Sequence, residues 1–141
     1  MNNRNKPLIS LHDHFVREFT VNADTRTLRL LTAFPSKEGP YRAEGIFEGV
    51  EAYVIDGDVL GTILFEIEEV SPLSLYDEFA TSMRETFARS GGHAPWVETR
   101  DTAQRAFRER EINGYSLTSS IGFTGGVWAR SFASNWTVAP R

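Results

Sequence analysis

The period of apolar alternation changes once in the first two-thirds of this chain, and that change limits the folds open to it. From Leu11 to Val70 the pattern has period two, the spacing of a half-buried strand; from Leu73 to Phe87 it has the spacing of a helix. In the first strand Phe15, Arg17, Phe19 and Val21 fall on one side, and Val16, Glu18 and Thr20 on the other. Asn22-Ala23-Asp24-Thr25 supplies turn chemistry. Thr27 to Phe34 then places Leu28, Leu30 and Phe34 on one face, so the two segments predict a hairpin.

A breaker cluster from Pro35 to Pro40 precedes a strand over Tyr41 to Gly49, which Val50 to Ile55 continues past a bend at Gly49. Asp56-Gly57-Asp58 predicts a second hairpin, leading into a long strand from Val59 to Val70. Ser71-Pro72 reads as an N-cap and first-turn proline. After it Leu73, Tyr76, Phe79, Ala80, Met83 and Phe87 form a helical stripe that ends at Ser90-Gly91-Gly92.

A second helix is expected over Glu98 to Ile112, with a thin stripe of Ala103, Ala106, Phe107 and Ile112 and a C-cap at Asn113-Gly114. A strand over Tyr115 to Phe123, a Gly125-Gly126 turn and a strand over Val127 to Phe132 close the pattern. Strands first and helices afterwards predict an α+β fold. The expected architecture is a curved antiparallel sheet, a meander of four to five strands plus a C-terminal strand pair, with two helices packed on one face. Residues 1–10 are expected as a flexible lead-in, and 11–141 as a single globular domain.

Composition adds exclusions. The chain has no cysteine, which removes disulfides, thiolate metal sites and cysteine nucleophiles. No apolar run approaches a membrane span, and the N-terminal apolar residues are too few for a signal peptide. No membrane partner and a cytoplasmic home are therefore expected. The formal net charge is −4, and the segment from Glu44 to Glu69 holds eight acids and no base. That is the opposite of a nucleic-acid surface, which needs clustered Lys and Arg.

The acidic segment supplies the candidate binding residues. Glu66 and Glu68 share a strand face, and Asp56 and Asp58 flank the turn. Such a face suits a basic protein partner; as a solvated sheet face it also discourages edge aggregation. Paired carboxylates are also the raw material of acid–base catalysis. Trp96, between Pro95 and the second helix, is expected as a semi-exposed contact residue.

His12-Asp13-His14 offers two imidazoles two residues apart, so His12 and His14 are the metal-ligand candidates, with His93 or Glu66 as a third ligand. A surface or capping role competes with that reading. The four arginines Arg100, Arg105, Arg108 and Arg110 are balanced by Asp101, Glu109 and Glu111 and read as a solvated face. No serine elbow or phosphate loop is present, and no cofactor is expected. An unpaired sheet edge leaves room for a homodimer.

Three short runs carry a resemblance: Leu11-His12-Asp13, Leu28-Arg29-Leu30 and Ile46-Phe47-Glu48-Gly49-Val50. They resemble small bacterial families of unknown function, some counted among the immunity proteins of polymorphic-toxin systems. The resemblance covers the first half of the chain and brings no catalytic residues. It implies a small protein whose surface binds a toxin or another protein. The expected function is thus non-enzymatic protein binding through an acidic surface. The alternatives are a small metal-dependent enzyme using His12 and His14, or a small-ligand domain with a pocket lined by Phe47, Phe65, Tyr76 and Phe79.

Overall fold

The computed structural model describes residues 9–35, 41–57, 63–90, 95–119 and 123–139. The strands are β1 (Phe15–Asn22), β2 (Thr27–Phe34), β3 (Tyr41–Glu48), β4 (Ala52–Gly57), β5 (Leu64–Val70), β6 (Asn113–Ser119), β7 (Phe123–Ala129) and β8 (Ser131–Val138). The helices α1 (Pro72–Ser90) and α2 (Arg100–Glu109) lie between β5 and β6, with a 3-10 turn at Pro95–Val97 between them. The α+β class and the antiparallel pairing are as the sequence predicts. The strands divide into two four-stranded sheets, ordered β1-β2-β3-β8 and β4-β7-β6-β5.

A sharp bend makes two sheets from one ribbon. The β3–β8 pair runs on as the β4–β7 pair, with Arg130 N donating to Glu48 O (3.0 Å) and Glu51 N to Trp128 O (2.8 Å) across the bend. Gly49 makes the turn at φ +64°, and a Cβ there would lie 2.9 Å from the Arg130 side chain. Only glycine takes that conformation at that distance without strain. At the opposite corner Phe15 bridges to Ile63.

Two cores follow from the layers. Val16, Leu28, Leu30, Phe47, Leu117 and Val127 pack between the sheets with Leu11 and Tyr115. On the outer face of the second sheet, Leu75, Tyr76, Phe79 and Met83 of α1 meet Trp96, Phe107 and Trp128. Val127 and Trp128 are neighbours in β7, so alternation sends one to each core. The two helices do pack on one sheet face.

Local signals account for the element ends. Asn22 Oδ1 accepts from the N–H groups of Asp24 (3.0 Å) and Thr25 (3.1 Å), closing the β1–β2 turn. Ser71 Oγ accepts from Ser74 N (3.2 Å) and so caps α1. Thr99 caps α2 by accepting from Thr102 N (3.1 Å). The second helix stops at Glu109 with Arg110 as its C-cap, and Asn113-Gly114 opens β6 instead of capping the helix.

Other expectations change. The first strand begins at Phe15, because Asp13 at φ +65° turns the chain before it. A bulge between Val16 and Glu18 resets the alternation, so Val16 and Phe19 both face the core. β4 and β5 do not form a hairpin; β7 and β6 lie between them. Gly125-Gly126 is not a turn but the middle of β7, paired with Ile55 and Val54. A Cβ would lie 2.7 Å from Val54 O at Gly125, and 3.0 Å from a Leu75 methyl at Gly126, so the glycines allow close approach. The chain end continues as β8 to Val138.

Candidate functional site

β5 is an edge strand, so one side of its backbone has no strand partner within its sheet. Alternation turns Ile67 to the inter-sheet core opposite Leu117, and puts Glu66 and Glu68 on the other face opposite Thr118 and Ser116. Glu69 lies opposite Tyr115. Glu66, Glu68 and Glu69 are all exposed.

Three acids elsewhere in the fold are paired with arginines. Arg29 Nε is 2.9 Å from Glu44, Arg100 Nε is 2.9 Å from Asp77, and Glu51 is held by Arg26 (3.1 Å) and Arg110 (2.7 Å). The Arg100 guanidinium holds the Asp77 carboxyl below the usual carboxylate range through its hydrogen bond. Among the described residues no basic side chain pairs with Glu66, Glu68 or Glu69. The four-arginine group of the second helix is thus partly spent on ion pairs, through Arg100 and Arg110.

The other predicted contact residues do not join this edge. Asp56 is exposed on β4, the opposite edge of the same sheet. Three strand spacings put it about 14 Å from β5. Asp58 lies outside the described residues. Trp96 is corrected from a semi-exposed contact to a core residue: it is 1% exposed, packed against Phe107 (4.8 Å between centroids) and Trp128. Its indole N–H donates to Glu51 Oε1 (3.3 Å). The large ring fills the gap between the 3-10 turn and α2, which a short polar connector could not.

His12 and His14 are in different environments. The turn at Asp13 leaves the His12 side chain 50% exposed, with Nε2 3.4 Å from Asp13 Oδ2. His14 is buried, its ring against Phe34 (5.4 Å) and Trp136 (5.5 Å). Its Nδ1 is 2.9 Å from Thr32 Oγ1, whose hydroxyl donates to Ala43 O (3.3 Å). With that hydroxyl proton committed, neutral His14 is the donor through Nδ1–H. Among the described residues no group of three or more His, Cys, Asp or Glu is arranged to hold a metal. His93 lies outside them.

Burial lowers the His14 pKa below its ordinary 6.5, and the nearby Asp13 charge only partly opposes this. The unfolded chain therefore takes up the proton at higher pH than the folded one. Stability from this group is complete above about pH 6.5 and is lost as pH falls toward the folded pKa. The melting temperature is expected to drop between pH 7.5 and pH 5, and His14→Phe is expected to flatten that slope. The depressed Asp77 titrates below this window. An unchanged slope in the variant would remove His14 as the cause.

A cavity of about 440 Å³ opens beside β5. Ile9, Leu11, Ile67, Phe132 and Tyr115 are its more buried lining, with Ser10, His12, Glu66 and Glu69 exposed at the rim. Segment 9–12 is pinned over it: Ser134 Oγ donates to Ile9 O (2.6 Å). Burial, and then the charge of Glu69, push the Tyr115 hydroxyl up to about 12, so it stays protonated at neutral pH. Nothing in the sequence pattern joins Ile9 and Leu11 to Tyr115 and Phe132, because more than a hundred residues separate them.

The expected aromatic pocket is corrected. Phe47 belongs to the inter-sheet core, whereas Tyr76 and Phe79 belong to the helix-side core, with a sheet between them. The side chain of Phe65 lies outside the description. Comparison with known proteins identified no matching family model, curated protein or solved structure.

Proposed function

We propose that this chain is a non-enzymatic protein-binding domain, of the immunity-protein kind that its first half resembles, and that it meets a basic partner through the β5 edge. The observation that carries this reading is the grouping of three exposed acids, Glu66, Glu68 and Glu69, within four residues of one edge strand, with no basic partner among the described residues. Uncompensated charge at a surface steers and orients a partner of opposite sign. The edge backbone adds hydrogen-bonding groups that a partner segment can use. No helix among the described residues is long and apolar enough to cross a membrane.

The test is capture on the immobilised chain at low salt, followed by affinity measurement with the purified partner. Replacing Glu66, Glu68 and Glu69 together by glutamine is expected to weaken binding tenfold or more, about 1.4 kcal/mol. Wild-type affinity is expected to fall with added salt, as interactions between exposed charges are screened. An affinity within twofold of wild type in the triple variant would sink the proposal.

A further inference from the structure

We infer that the cavity beside β5 receives a lysine or arginine side chain of the partner, its alkyl stem on the apolar floor and its cationic head at the rim beside Glu69. This rests on the protein-binding reading and names the chemistry the partner must present. The cavity volume of about 440 Å³ is in the range of small-molecule sites, which are mostly apolar with a few placed polar groups. Leu11, Ile67 and Phe132 supply the surface an alkyl stem covers when a long basic side chain keeps only its head in water. An apolar floor alone would accept any greasy group. The Glu69 carboxylate, on the Ile67 face of β5, selects a cation, and His12, also at the rim, stands against a further carboxylate, Asp13.

The probes are n-butylguanidinium and n-butylammonium, which reproduce the two side-chain ends, with butyrate as the anion of like length. Each is titrated into the isotope-labelled full chain and followed by NMR. The cations are expected to give saturable shifts at Leu11, Ile67, Tyr115 and Phe132, with millimolar dissociation constants; butyrate is expected to give none. Glu69→Gln is expected to weaken the cations threefold or more. Glu85→Gln, exposed on α1 and outside the cavity lining, is expected to leave them unchanged.

Absence of saturable shifts, or equal binding of butyrate, overturns the inference. The two readings fail separately. If the cations do not bind while the triple glutamine variant loses its partner, the cavity inference falls and the acidic edge stands. If the cations bind while partner affinity ignores the triple variant, the protein-binding edge falls.

Discussion

Trp128→Ala is expected to cost about 3–5 kcal/mol of folding stability, the range for removing a large buried aromatic. The side chain is 0% exposed, and its ring lies between Phe79 (6.5 Å, edge-on) and Trp96 (6.0 Å). Its indole N–H donates to Pro72 O (3.0 Å), at the first residue of α1. One side chain thus fastens the helix layer to the sheet. The loss combines the forfeited burial of the ring, the cavity left behind and the hydrogen bond to Pro72 O. Urea or thermal unfolding measures it, and a fall of roughly 10 °C or more in melting temperature is expected. Tyr53→Ala, at a 42% exposed residue, should lose under about 1 kcal/mol. A Trp128 loss that small would mean that the helices do not dock as described.

Glu51→Ala is expected to cost about 2 kcal/mol, more than its surface partners would suggest. The Glu51 side chain is 11% exposed, whereas Arg26 is 63% and Arg110 is 49% exposed. The arginines can return to water when the carboxylate is removed. The indole N–H of the buried Trp96 cannot do so as easily, and an unsatisfied buried donor costs about 1–3 kcal/mol. Arg26→Ala removes only an exposed partner and should cost no more than about 1 kcal/mol. Equal losses in the two variants would show that Glu51 acts only as a surface ion pair. The residue sits at the ribbon bend, so its network joins both sheets to the end of α2.

The sequence made the elements legible where the cause was local. Asn22, Ser71 and the helical stripe of α1 act over a few residues, and each does in the structure what its chemistry predicts. Long-range pairing was not legible. Asp56-Gly57 resembles a hairpin turn, yet β4 pairs with β7, some seventy residues further on. The paired glycines of β7 resemble a turn because glycine serves both bends and close approach, and only the packed neighbours tell which. In the site, Glu66 and Glu68 followed from alternation. Glu69 was visible in the acidic run, but its place beside Tyr115 depends on a strand pairing between distant segments. Trp96 could not be placed, since the same residue type serves interfaces and cores.

The most direct test of the acidic-edge account is hydrogen exchange on the chain with and without its purified partner. Residues 66–69 of β5 are predicted to gain protection on binding, and the β4 edge carrying Asp56 is predicted to stay as it was. Protection confined to β4, or to the helices, with β5 unchanged would contradict the account.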